Sequence, residues 1–483
     1  MSDIHWPVIV ILLPLVGGVA CFLWPQRSVL LGLLTALSIV ACVAGLGWQV
    51  VELGAQRYAV GGWGAPLGID LYADGLSLSM LTVTAVVGLG ISVYSCGYFH
   101  RSDAKRDKAK HFWPLWMFLW AALNALFLSA DIFNLYVTLE LLGLAAVALV
   151  ALAGGADALT GAMRYLLVSL LGSLFYLLGV ALLYHGFGSV DITLLAERVE
   201  PSPVVWAAMG LMIAGLLLKT ALFPLHFWLP SAHASAPAPV SALLSALVVK
   251  ASFYILLRLW LEIFPFANAA LAQLLGLLGA AAVFWGGFQA LRQTRLKMLI
   301  AYSTVAQLGY LFLAFPLANV IGWTGALYML LSHAAAKTAM FMAAGNILYF
   351  GGHDRIMDLD RVVQRLPLTI TAFALAGVSI MGLPPSGGFI AKWLLLEAAI
   401  RAAQWWWGGV LILGGLLSAA WVFKVVGYAF TQSEAPHETR AVPASMEWTA
   451  LVMAVVAILL GLFAPWLLAL LEIGSPFGRE NAG

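Results

Sequence analysis

Long apolar blocks alternate with short polar connections along the whole chain. A helix needs roughly 20 apolar residues to cross a hydrocarbon core of about 30 Å. By that measure about fourteen segments are expected to span a bilayer: 6–24, 28–53, 75–98, 112–130, 132–153, 158–186, 204–229, 239–263, 267–290, 297–317, 320–350, 367–402, 405–430 and 446–472. Between the second and third, "YAVGGWGAPLGIDLYADGLS" combines Gly, Pro and an apolar–polar alternation, which predicts a short hairpin outside the membrane. No long hydrophilic block interrupts the apolar ones. The expected fold class is an all-α polytopic membrane protein with a single membrane domain, 1–483. Its parts are an N-terminal portion (1–111), two larger portions (112–263 and 267–430) and a C-terminal helix (446–472).

Composition supports this. Of 483 residues, 63% are hydrophobic and 10% charged, with a mean hydropathy of +0.97, whereas a soluble domain carries roughly a quarter charged residues. The net charge of +2 gives no footing for nucleic acid. Cys21, Cys42 and Cys96 lack CxxC spacing and are expected to be small buried residues, neither disulfide nor metal ligands. "MSDIHWPVIV" has no Lys or Arg before its apolar run, so the first helix is expected to be retained. Basic residues divide unevenly between alternate connections. Thirteen lie on one side (Arg27, Arg101, Lys105, Arg106, Lys108, Lys110, Arg292, Arg295, Lys297, Arg355, Arg361, Arg365, Arg440) and four on the other (Arg57, Arg198, Arg401, Arg479). The positive-inside rule makes the first side cytoplasmic and places both termini outside, in the cell inner membrane.

Charges within the apolar blocks change the picture from topology to chemistry. Each one at a helix centre costs at least about 2.5–3.5 kcal/mol on the insertion scale. Arg258 and Arg164 are near enough to a surface to snorkel, and Lys424 is near a segment end. Lys219, Lys250 and Lys392 are deep or stand beside a break, and Glu140 is the acid nearest a helix centre; Glu397 is expected at a surface or interface. "FPLHFWLP" follows Lys219 and "GLPPSGGFIAKW" contains Lys392, and their prolines should interrupt the seventh and twelfth helices inside the membrane. Two breaks five helices apart enter from opposite sides. That spacing predicts inverted five-helix repeats, helices 4–8 and 9–13, with a site near the midplane. Desolvation disfavours a charged ammonium and a nearby carboxylate favours it, so buried lysines with a glutamate partner can load and release protons near neutral pH. His333 and Lys337, four apart on one helix face, could bridge such stations.

The stretches "GIDLYADGLSLSML", "DIFNLYVTLELLGL", "LKTALFPLHFWLPSAHASAPAPVSALLSALVVK", "RLKMLIAYSTVAQLGY", "SHAAAKTAMFMAAG" and "GLPPSGGFIAKW" resemble, in order and over nearly the whole chain, one known family. It comprises the antiporter-like subunits of respiratory complex I, membrane-bound hydrogenases and Mrp-type cation/proton antiporters. The resemblance implies a proton relay through Glu140, Lys219, Lys250 and Lys392, with His333, Lys337, Arg164 and Lys424 as secondary members. Arg164 stands where many relatives have lysine. It implies as partners the other membrane subunits of a hetero-oligomeric complex, with protons, and Na⁺ or K⁺ where an ion is exchanged, as cargo. Lysine at position 392 points away from the M-type member of complex I, and the end of the chain after the fourteenth helix points away from the L type. An Mrp D-like subunit is the leading expectation, and a membrane-arm subunit of a complex I-like dehydrogenase or a hydrogenase is the alternative.

Other classes fit less well. A haem protein needs paired axial histidines inside helices, and only His333 is clearly mid-helix. "GGFIAKW" lacks the glycine before lysine and the Ser/Thr after it that a phosphate loop requires. A solute carrier of another inverted-repeat fold would need a small-molecule site lined by aromatic residues, and a structural scaffold leaves the buried charges unexplained. No motif for nicotinamide, flavin, iron–sulfur cluster, quinone or metal is present, so no cofactor is expected and any redox chemistry belongs to partner subunits.

Overall fold

The computed structural model describes residues 5–100, 103–359, 361–432, 440–474 and 476–477. Arg101, Arg479 and both chain termini, which enter the expected topology, lie outside the described residues. The chain is 82% helical, and among the described residues twelve helices are long and apolar enough to cross a membrane.

The first third holds α1 (Trp6–Leu23), α2 (Ser28–Leu53), the strands β1 (Gln56–Ala59) and β2 (Asp70–Ala73), and α3 (Gly75–Phe99). The expected hairpin is therefore present, as an antiparallel pair with Gln56 opposite Ala73 and Ala59 opposite Asp70. Then come α4 (Asp103–Leu128), α5 (Ile132–Ala151), α6 (Ala156–Phe187), α7 (Ile192–Arg198), α8 (Pro203–Thr220), α9 (Trp228–Ser235) and α10 (Ala238–Ile263). The rest is α11 (Ala269–Arg292), α12 (Leu296–Leu317), α13 (Val320–Gly351), α14 (Pro367–Met381), α15 (Gly387–Arg401), α16 (Trp405–Phe430), α17 (Ala444–Leu462) and α18 (Ala464–Glu472).

Side-chain caps set where several helices start. Asp131, Asp191, Ser202, Asn319 and Ser386 each accept a hydrogen bond from the backbone N–H three residues on, satisfying a donor that would otherwise be orphaned. Helix α4 starts earlier than the apolar block suggested. Its first turns carry Lys105, Arg106, Lys108 and Lys110, because a basic run of good helix formers extends a helix out of the apolar layer.

Ion pairs and hydrogen bonds mark two ends of the bundle. At one, Arg57 of β1 pairs with Asp70 of β2 (2.7 Å) and with Asp191 before α7 (2.5 Å), tying the hairpin to the α6–α8 connection. At the other, Arg295 pairs with Asp354 (2.9 Å), and Lys424 donates to the carbonyls of Leu291 and Gln293 at the end of α11 (2.8 Å each). Arg57 thus lies at the hairpin end and Arg295 at the opposite one.

Helix α13 is the spine. It is 32 residues long, roughly 48 Å, and nearly every residue from Gly322 to Ile347 is buried. It packs against α3, α10, α12, α14, α15 and α17. Polar side chains dilute its apolar character, since Ser332, His333, Lys337, Thr338 and Asn346 all lie within it and are buried.

Two helices are interrupted as expected, and their breaks share one local structure. α8 ends at Thr220, Ala221 is left-handed (φ 58°), and the N–H of Leu222 reaches back to Leu217 O (3.2 Å). α14 ends at Met381, Gly382 is left-handed (φ 83°), and the N–H of Leu383 reaches back to Val378 O (3.0 Å). Both are Schellman caps, which satisfy the carbonyls that a helix end leaves open. The chain resumes as α9 and α15 respectively, so Pro230 sits inside the second half-helix and takes no part in the break.

Candidate functional site

The deep charges anticipated from sequence lie mostly on the elements next to these breaks. Lys219 is in the last turn of α8, with its side chain 6% exposed; its ammonium donates to Glu140 Oε1 (3.1 Å) on α5 and to Ser169 Oγ (3.0 Å) on α6. Ser173, one turn further along α6, also donates to Glu140 Oε1. Glycines allow this proximity. A Cβ on Gly215 would stand 2.3 Å from Gly172 O, and one on Gly172 would stand 2.8 Å from Gly215 O, so α6 and α8 touch backbone to backbone. Below Lys219 lies a 10 Å³ cavity, lined also by Ser169, Val248 and Ser252, which is room for about one water.

Lys250 is fully buried on α10, and its ammonium donates to the carbonyl of Ser245 (2.5 Å). That acceptor lies in a π-helical turn, Leu244–Val248, where the widened winding turns a carbonyl out of the regular ladder. Across from it on α13, His333 and Lys337 are buried and within electrostatic range of Lys250. The Lys337 ammonium donates to Ile300 O (3.1 Å) and to Ser303 Oγ on α12, and lies 5.5 Å from the Trp421 ring. Hydroxyls link the neighbouring elements: Thr220 to Ser252 (2.8 Å), Ser245 to Thr304 (2.8 Å) and Ser332 to Ser379 (2.9 Å).

Lys392 is in the second turn of α15, buried, and folded back on the break. Its ammonium donates to Ile380 O (3.0 Å) and Met381 O (2.9 Å), the last carbonyls of α14, and lies 4.8 Å above the Tyr310 ring. Gly382 permits this. Besides its left-handed φ, a Cβ there would stand 2.6 Å from Lys392 Cδ.

The other sequence candidates fall elsewhere. Arg164 is exposed on α6 and is not buried with Lys219, Lys250 and Lys392. Lys424 is half-buried and caps the end of α11. Glu397 pairs with exposed Arg401 on its own helix (2.7 Å). Arg258 is a correction: it does not snorkel. It is buried, with its guanidinium on Asp74 Oδ1 (2.6 Å), the N-cap of α3, and on Glu262 Oε1 (2.8 Å), because a carboxylate from a distant part of the chain meets it before it could reach the surface.

Two residues escaped the sequence reading. Lys297, counted among loop cations, is 2% exposed and donates to Ala236 O. His233 in α9 is fully buried, stacks on Phe341 (4.8 Å between centroids), and has no hydrogen-bond partner at either ring nitrogen. Lys250, Lys297 and Lys337 are all within electrostatic range of it. Nothing local signals either burial, since Lys297 follows two other cations and His233 sits in an Ala/Ser/Pro stretch that reads as a loop.

A family model described as NADH:quinone oxidoreductase/Mrp antiporter, TM, matches residues 129–418, and one described as NADH-ubiquinone oxidoreductase (complex I), chain 5 N-terminus, matches 63–108. The chain belongs to the NADH:quinone oxidoreductase/Mrp antiporter transmembrane family. Within the family, it is 35% identical to the N-type subunit of the NADH-quinone oxidoreductase of Desulforudis audaxviator, over 95% of this chain and 96% of the relative. It is 27% identical to the D-type subunit of the Na(+)/H(+) antiporter of Bacillus subtilis, over 96% and 94%. Its fold matches a chain in the Mrp complex of Dietzia sp. DQ12-45-1b with a TM-score of 0.89 at 24% identity, covering 99% of each. The protein is thus a multi-pass membrane subunit of the antiporter and complex I type, a class found in multi-subunit membrane assemblies.

Proposed function

We propose that the chain is the proton-translocating subunit of a multi-subunit complex, an Mrp D-like cation/proton antiporter or, on the strength of its 35% identity to an N-type relative, the membrane arm of a redox-driven proton translocase. One observation carries the reading: the chain buries Lys219, paired with the partly buried Glu140, together with Lys250, His333 and Lys337, which lie within electrostatic range of one another, and Lys392 at the second break. Lys219 is balanced by a single carboxylate, while Lys250, Lys337 and Lys392 are hydrogen-bonded only to carbonyl and hydroxyl oxygens, so their ammoniums can pass a proton on. In this reading Glu140, Lys219, Lys250 and Lys392 are the relay, and His333 and Lys337 connect its halves. Fourteen spans result when α8 with α9 and α14 with α15 each count as one interrupted span and α13 is added to the apolar twelve. Helices 4–8 and 9–13 then form inverted repeats within one membrane domain, which is supported by the shared cap at the two breaks. The thirteen-to-four excess of basic residues in one set of connections supports a cytoplasmic location for that side, with both termini outside.

The test uses the complete complex in liposomes. Lys219→Ala should abolish or nearly abolish proton transport in an assembled complex, and wild-type transport by that variant would rule the relay out. Single cysteines in the 187–203 connection should label from outside, and those in the 351–366 connection only from within. This chain alone in everted vesicles should not dissipate a pH gradient on addition of Na⁺ or K⁺. A relay gives protons a route but nothing to bias their occupancy.

A further inference from the structure

Helix α10 carries, beyond the relay's Lys250, further polar groups that the relay does not use. Lys250, Tyr254, Arg258 and Glu262 are spaced four apart and so share one face. They lead from the buried centre to a cavity of about 230 Å³ at the hairpin end, lined by Arg57, Tyr72, Thr193, Arg258 and Glu262. A proton on Lys250 therefore faces two directions: across to α13, or along α10 toward the hairpin. A leak along α10 would short-circuit coupled transport.

The bonding of the stripe opposes that leak. A proton wire needs each member to accept one proton and release another. A guanidinium offers five N–H donors and no acceptor, and does not deprotonate in proteins. Arg258 uses its donors on every neighbour: Nε on Tyr254 Oη (3.1 Å), Nη1 on Glu262 Oε1 (2.8 Å), and Nη2 on Asp74 Oδ1 (2.6 Å) and Ser77 Oγ (3.0 Å). Tyr254 in turn donates to the backbone carbonyl of Phe127 (2.8 Å), which cannot hand a proton on. Ser77 donates to Asp74 Oδ1 (2.8 Å). On the inner side of this cluster the Lys250 ammonium is turned the other way, onto Ser245 O.

We propose that Arg258, held by Asp74 and Glu262, is a proton-tight stopper that ends the polar stripe of α10 and keeps protons carried by Lys250 from leaving toward the hairpin end. It rests on the relay reading of Lys250 and adds the element that makes the relay one-directional at that point. Arg258 is a positioning and insulating residue here; it carries no proton itself.

Arg258→Lys tests this, because lysine keeps the charge and can reach Asp74 and Glu262, yet it can release its proton. The complete complex is placed in liposomes with an imposed pH gradient, without transported cation or redox substrate, and gradient decay is followed with a pH dye. The wild type should decay like liposomes carrying the Lys250→Ala complex. Arg258→Lys should decay faster, on the order of tenfold, and Lys250→Ala/Arg258→Lys should return to the wild-type rate. Wild-type decay by assembled Arg258→Lys overturns the proposal and leaves Arg258 a structural tie; so does a fast decay that persists in the double variant. Should Arg258→Lys not assemble, Arg258→His, whose imidazole can take up and release a proton between Asp74 and Glu262, is held to the same outcomes. Lys219→Ala measured in parallel separates the two readings. Wild-type transport by that variant overturns the relay, while its passive decay rate is expected to equal the wild type's in every case.

Discussion

The two interrupted helices have the same break and opposite ways of holding a lysine beside it. At the first, Lys219 precedes the break and meets a full negative charge, Glu140, brought from α5. At the second, Lys392 follows the break and meets no carboxylate but the carbonyl dipoles at the open end of α14, which amount to roughly half a charge, and the face of the Tyr310 ring. Neither Lys219 nor Glu140 can lose its charge without leaving its partner uncompensated, so in the proposed relay the pair changes state together. Lys392 has no such partner and can change state alone. The same backbone device thus supports one station whose charge is balanced and one whose charge is only solvated by the protein.

The largest effect that would sharpen this contrast is at the first break. Glu140→Ala and Lys219→Ala should each abolish transport and destabilise the chain by about 3 kcal/mol, the low end for a broken buried pair because Glu140 keeps 19% exposure. The double variant should recover part of that stability while transporting no worse than either single. Double-mutant cycles on thermal unfolding and on liposome transport measure both; strictly additive destabilisation would mean the two groups do not act as a unit.

At the second break the expectation differs. Lys392→Arg retains donors for Ile380 O and Met381 O but cannot release a proton, so transport should fall to the level of Lys219→Ala while thermal stability stays within about 1 kcal/mol. Transport at the wild-type rate in this variant would remove Lys392 from the relay. Lys392→Met should instead lose stability, by about 1–3 kcal/mol, because the carbonyls are left without donors.

Smaller effects concern the caps themselves. Gly382→Ala places a methyl in a left-handed conformation and against Lys392, and should destabilise by about 1–2 kcal/mol. The matching change at the first break, Ala221→Gly, relieves a left-handed alanine and should stabilise by at most about 1 kcal/mol. Equal and opposite shifts in the unfolding midpoint would show that the caps are interchangeable and that only the lysine environments differ.

Much of this contrast was open to reading in the sequence. Pro224, Pro384 and Pro385 announce breaks because proline cannot donate to a helix ladder, and Lys219, Lys250 and Lys392 stand out because charge is rare in apolar blocks. Arg258 shows where such reading stops. It lies eight residues from Lys250 and close to a segment end, so surface access was the natural inference. Its burial depends on Asp74, 184 positions away. Lys297 and His233 were missed for the same reason, since their partners come from distant parts of the chain, Ala236 for Lys297 and Phe341 of α13 for His233.

The sequence by itself determined that this protein lives in a membrane, roughly where it crosses, where two helices break and which charges sit within the apolar layer. Each follows from local physics: the length of an apolar run, the missing proline donor, the cost of desolvating a charge. Only the tertiary structure decided what each charge meets. Lys219 found a carboxylate, Lys392 a helix end, Lys250 a carbonyl of its own π-turn, Arg258 two acids and a tyrosine, and Arg164 open surface. Partners are assigned by which helices pack together, and a charge in a low-dielectric interior takes its chemical character from its nearest partner and not from its place in the chain.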